Sequence, residues 1–142
     1  AVLAQLSKDG FDTSGVTLQD SSGLAKGNKV PARLLAQILA KAAGGEGGSV
    51  GRTLIADLPV AALDGTLSKR LHDTTAAGTV RAKTGTLQQT SSLAGVVTTA
   101  DGRQLTFAVM ANDFSKDHSS AAAVEAAIDN HFVAPLASCG CS

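Results

Sequence analysis

The sequence predicts an α+β fold, an α/β sandwich in which an antiparallel sheet is flanked by helices. Three observations carry this expectation. The stretches 79–86, 92–99 and 105–112 have the length and β-branched apolar content of strands. Ala100-Asp101-Gly102-Arg103 joins the last two as a tight turn, which makes those neighbours antiparallel. Helical periodicity stands on both sides of this group: Leu34, Leu35, Ile38 and Leu39 before it, Val124, Ala127, Ile128 and His131 after it.

Each element has its own signals. Val2, Leu3 and Leu6 fall at helical spacing and Gly10 ends that turn. Val16 to Leu18 reads as a short strand or extended piece, and Ser21-Ser22-Gly23 as a turn. Pro31 suits the first turn of a helix running to about Ala43. The Gly-rich run at 44–49 marks a flexible connector, drawn broadly as 39–50, with a shorter helix from Gly51 to Ala56 beyond it. A short helix or turn is expected from Gly65 to Leu71. The segment 105–110 is apolar enough to be buried on both faces. Ser119 or Ser120 caps an Ala-rich helix ending near Phe132, and 134–142 reads as a tail. No internal repeat is visible.

Composition bounds the function. The 142 residues suit one domain or part of a larger one. Twelve basic and twelve acidic residues cancel, so there is no cationic excess with which to neutralise nucleic acid. No apolar run approaches the ~20 residues that span a bilayer, and no leader pattern is present. The four aromatics are all Phe, so the core rests on Ala, Val, Leu and Ile and offers few bulky anchors. Such a piece needs a partner surface. His72, His118 and His131 are scattered without metal-ligand spacing, and no cofactor or metal is expected.

The chemistry-bearing stretch is Val80-Arg81-Ala82-Lys83-Thr84-Gly85-Thr86. On a strand, Lys83 and Gly85 share one face and Thr84 takes the other unless the strand twists. A P-loop reading fails, because Ala82 and Ala77 stand where that motif needs glycines. A Lys-Thr-Gly triplet alone is a weak signal, since a solvated lysine on an edge strand explains it equally well.

The neighbours change that weight. Asp20-Ser21-Ser22-Gly23-Leu24 with Asn28, Leu58-Pro59-Val60-Ala61, and Asp64-Gly65-Thr66-Leu67 with Arg70 precede the triplet. Leu87, Leu93-Ala94-Gly95, Asp101-Gly102-Arg103 and Asn112 follow it. In this order the blocks resemble the D-alanyl-D-alanine carboxypeptidase/endopeptidase family, the class C low-molecular-mass penicillin-binding proteins of peptidase family S13. The resemblance covers about two-thirds of the chain. It implies the serine β-lactamase/DD-peptidase-like architecture, of which this chain supplies the C-terminal portion of the catalytic domain.

The resemblance also implies acyl transfer at a D-Ala-D-Ala peptide of peptidoglycan, with β-lactams as acylating mimics. Lys83 and Thr86 are then catalytic positions, Thr86 through an oxyanion-hole N–H. Lys83, Thr84, Gly85 and Thr86 together bind substrate: the lysine and the hydroxyls grip its C-terminal carboxylate, while Gly85 leaves room for a peptide lying along the strand. An extracytoplasmic, bacterial location follows, and there Cys139 and Cys141 are expected in a disulfide, with each other or with cysteines elsewhere. Asp20, Ser22 and Asn28 favour turns on their own account and are read as cleft wall, and Asp64-Gly65-Thr66 as a turn bracing the Lys83 strand.

The departures from the family pattern matter as much. Neither Ser-x-x-Lys nor Ser-x-Asn occurs in the 142 residues; Ser68-Lys69 and Ser115-Lys116 are merely adjacent pairs. The family places both elements upstream, so a companion N-terminal polypeptide is expected to carry the nucleophile, and this chain alone to be inactive. Ser21 and Ala62 stand where the family has glycines. A β-lactamase fits the Asp64 block less well, and a scaffold that lost its nucleophile is the rival of a different class.

Overall fold

A computed structural model describes residues 1–87, 89–114 and 120–139. Its helices are α1 (Val2–Lys8), α2 (Ala32–Ala43), α3 (Gly48–Ala56), α4 (Ala121–Ile128) and α5 (Ala134–Ser138). Its strands are β1 (Val80–Leu87), β2 (Thr90–Thr98) and β3 (Gln104–Asn112), in the order β1-β2-β3 with both pairings antiparallel. The α+β architecture expected from the sequence is the one observed.

Strand alternation sorts the sheet into two faces. Val80 and Ala82 of β1, Leu93 and Val97 of β2 and Phe107 of β3 join Ile128, Val133 and Ala137 in one buried cluster. Leu67, Leu71, Ala61 and Ala76 complete it from the loops before β1. The buried Leu34, Leu39 and Ala42 of α2 lie outside that cluster, and α2 packs on β3, β2 and α3. The sheet is therefore sandwiched between helices. Gly95 allows β1 and β2 to approach, because a Cβ there would lie 2.1 Å from the Arg81 carbonyl oxygen.

Three boundaries differ from the sequence reading. The connector is shorter than 39–50: α2 continues through Ala43 and α3 starts at Gly48, because Leu39 and Ala42 belong to the buried stripe of α2. The tail at 134–142 is α5 as far as Ser138, held by the buried Ala137. The final helix is not continuous, for a π-helical turn at Asp129–Val133 separates α4 from α5 and buries Asp129 and Val133 together. Of the two readings at Val16–Leu18 the extended piece holds, with a single bridge from Thr17 to Lys29. Ser120 caps α4 by accepting from the Ala123 N–H; the alternative cap Ser119 lies outside the described residues, as do Ser115, Lys116 and His118.

Candidate active site

The site forms where the loop before β1 stops covering it. Pro59–Ala61 runs antiparallel beside the outer edge of β1: the Ala82 N–H donates to Pro59 O, and the Ala61 N–H to Val80 O. Backbone groups of a strand alternate sides, so Thr84 and Thr86, in phase with Val80 and Ala82, also aim N–H and C=O at that edge. Beyond Ala82 no described segment pairs there, so the triplet lies on an open strand edge.

Lys83 and Arg81 point to one face. Arg81 is anchored by donating to the Ala56 carbonyl at the end of α3. Lys83 is exposed, and its Nζ donates to the outward Thr84 carbonyl at 2.8 Å. Thr84 and Thr86 share the opposite face. The Thr84 hydroxyl pairs with the Thr66 hydroxyl at 3.1 Å, and the Thr86 hydroxyl donates to Glu125 Oε1 of α4 at 2.6 Å. Glu125 had no sequence signal, because only tertiary packing brings it to a strand 39 positions away. Opposite Thr86 on β2, the Ser91 hydroxyl is fully buried without a hydrogen-bond partner among the described residues.

Gly85 has a partner of its own. A Cβ there would come within 2.5 Å of Ser92 Oγ, which donates to the Gly85 carbonyl at 3.3 Å. The cross-strand serine thus favours glycine independently of any ligand, though its hydroxyl could turn aside for a Cβ.

The Asp64 turn braces this edge, and the Asp20 turn is built on bonds of its own. Asp64 accepts from the Val60 N–H at 2.6 Å, while the Ala62 N–H donates to the Leu67 and Arg70 carbonyls. Ala62 holds φ at 63°, the left-handed region that a family glycine would enter without strain. The turn that its substitution brought into question is present nonetheless. Asp20 is saturated: it accepts from the Ser22 hydroxyl, the Asn28 amide, and the Gly23 and Ala25 N–H groups. These bonds, the Ser22 hydroxyl foremost, hold its carboxyl down at about 2. Ser21 needs no left-handed backbone.

Among the described residues no group of three His, Cys, Asp or Glu could hold a metal, and no helix is long and apolar enough to cross a membrane. His72 bonds the Ser68 carbonyl within its own loop. Cys139 is disulfide-bonded, and Cys141 falls outside the described residues.

Known proteins resemble this chain over nearly its whole length. The family model for the D-Ala-D-Ala carboxypeptidase 3 (S13) family matches residues 1–133. Carboxypeptidase DacB of Mycolicibacterium smegmatis is 44% identical over 145 residues, 99% of this chain and 30% of the relative. D-alanyl-D-alanine carboxypeptidase of Actinomadura sp. is 40% identical over 78% of this chain and 21% of its own length. The crystal structure of penicillin-binding protein 4 (dacB) from Haemophilus influenzae, complexed with a β-lactam, superposes with a TM-score of 0.83 at 28% identity. That match covers 98% of this chain and 33% of the solved one. The chain therefore spans about a third or less of the relatives that it matches. Matched by the family model over residues 1–133, the chain belongs to the D-Ala-D-Ala carboxypeptidase S13 family.

Proposed function

We propose that this chain is the substrate-gripping part of a serine-type D-Ala-D-Ala carboxypeptidase/endopeptidase acting on peptidoglycan stem peptides outside the bacterial cytoplasm. One observation carries the reading: among the described residues the edge of β1 is covered up to Ala82 and open from Lys83 onward. A peptide adding to that edge meets the outward N–H and C=O of Thr84 and Thr86.

In the proposed reaction a serine on companion sequence attacks the penultimate D-alanine carbonyl. Its proton passes to the lysine of Ser-x-x-Lys, and the tetrahedral oxyanion accepts from the outward Thr86 N–H. The terminal D-alanine leaves with a proton, and water then cleaves the acyl ester. Lys83 must leave the Thr84 carbonyl as the peptide docks, and its charge then faces the substrate carboxylate. Thr84 and Thr86 lie on one face at alternate positions, so both hydroxyls can reach a single carboxylate. A β-lactam would enter by the same edge.

The companion polypeptide has a place to dock. β3 is the other edge of the sheet, nine residues long with no charge and no proline, a kind of edge that proteins rarely leave open. An apolar groove of about 790 Å³ runs beside it, lined by Ala36 and Ala40 of α2, Leu105 and Phe107, and Phe132 and Leu136.

The test is acylation by a fluorescent penicillin of the assembled protein, this chain with the polypeptide that carries Ser-x-x-Lys. Label is expected on that companion. Lys83→Ala should lower the acylation rate by about 100-fold, the scale of losing one preorganised charge or donor, without unfolding an exposed site. Absence of label from the unsubstituted assembly would instead favour a scaffold without peptidase activity.

A further inference from the structure

We infer that Thr66 is a positioning residue for substrate binding, fixing the direction in which the Thr84 hydroxyl donates. The inference rests on the proposed role of Thr84 as a carboxylate donor. A hydroxyl carries a single proton and rotates freely unless a neighbour settles its direction. Thr66 is that neighbour, with Oγ1 3.1 Å from Thr84 Oγ1. When Thr66 donates, the Thr84 oxygen is satisfied as an acceptor, and its own proton is free to point at an incoming carboxylate. Without a ligand the same pair can run the other way, with Thr84 donating to Thr66 across the same 3.1 Å.

The position of Thr66 is unusually well fixed for an exposed side chain. It lies in a 3-10 turn, Gly65–Leu67, next to the fully buried Leu67. The Leu67 and Arg70 carbonyls both accept from the Ala62 N–H, and Asp64 accepts from the Val60 N–H. Arg70 is held by two hydrogen bonds to Asp129. Three non-glycine residues of this segment, Ala62, Leu71 and Asp73, take left-handed backbones at φ 63°, 60° and 54°. Such conformations persist only where the surroundings over-determine them. A braced loop that presents an exposed hydroxyl to the substrate strand does more than buttress that strand.

The test uses the assembled protein and a peptide ending in D-Ala-D-Ala. Thr66→Val keeps the side-chain shape and removes the hydroxyl. KM should rise about 2–10-fold, the scale of one hydrogen bond, with kcat changed by less than about 2-fold. Thr66→Ser should restore KM. On a Thr84→Val background, Thr66→Val should add nothing, because the hydroxyl it orients is already gone. An unchanged KM in Thr66→Val, a fall in kcat alone, a failure of Thr66→Ser to rescue, or additive effects with Thr84→Val would each overturn the inference. If the unsubstituted assembly has no activity, it is the carboxypeptidase reading that fails, and that failure is seen before any substitution is made.

Discussion

Arg70 and Asp129, 59 positions apart in the chain, meet as a nearly buried ion pair with two hydrogen bonds, Nε to Oδ2 at 2.9 Å and Nη2 to Oδ1 at 2.6 Å. Their side chains are only 12% and 9% exposed. The pair ties the loop that carries Thr66 to the π-helical turn between α4 and α5. Removing one member strands the other charge away from water. Asp129→Ala is therefore expected to destabilise the chain by about 3–5 kcal/mol, read as a lowered midpoint in denaturant unfolding. A loss below about 1 kcal/mol would mean that Arg70 finds water or another acceptor.

Ala62 offers the opposite sign. Its φ of 63° strains any residue with a Cβ, while its N–H bonds keep the turn in place. Ala62→Gly should stabilise the chain by up to about 1 kcal/mol, less what glycine adds to the freedom of the unfolded chain. Thermal melts of the two proteins under identical conditions check it, and a lower melting temperature for the glycine variant would contradict the strain argument.

Sequence periodicity served well where a segment's own residues decide its structure. The α2 stripe, the three strands and the Asp101-Gly102 turn, with Gly102 at φ 82°, all came from local signals. The Asp20 turn was equally legible, because Asp, Ser and Asn bond nearby backbone wherever they stand. The helical α5 was lost in a short segment containing Pro135, because its hold comes from packing of Ala137 against the sheet rather than from its own pattern. At the site, the Lys83–Thr86 strand was visible, and the resemblance gave its residues their roles. Thr66 was legible as part of the turn bracing that strand, and its contact with Thr84 bears this out; Glu125 was not, since a contact across 39 positions arises only from tertiary packing. Nor was the strip at Pro59–Ala61 that decides how much of β1 stays open.

Asp20 gives the loop a pH dependence of known sign. Its carboxyl titrates at about 2 in the fold, against an ordinary 3.8. A depressed value means that the carboxylate favours the fold: its contribution is complete above about 3.8 and is lost as the pH falls through about 2. Resonances of the Gly23 and Ala25 amides, which donate to this carboxylate, should shift with a midpoint near pH 2. Asn28→Ala removes one of the donors and should move that midpoint upward. An unmoved midpoint would show that the Asn28 amide contributes nothing to holding the carboxylate.

Gly85 separates a structural need from a functional one. A Cβ at this position meets Ser92 Oγ, 2.5 Å away, and because that oxygen ends a side chain that can turn aside, Gly85→Ala should destabilise the chain by only about 1 kcal/mol, the scale of shifting Ser92 from its rotamer and its bond to the Gly85 carbonyl. Ser92→Ala removes the clashing oxygen and leaves only the serine Cβ, 3.9 Å from the new methyl, an ordinary contact. The double variant Gly85→Ala/Ser92→Ala should therefore regain most of the lost stability in thermal unfolding. Acylation by penicillin in the assembled protein is expected to stay low in that variant, because the methyl remains on the strand along which the peptide would lie. Recovery of stability and acylation together would make Gly85 a packing residue alone. Recovery of stability without acylation would place it against the substrate.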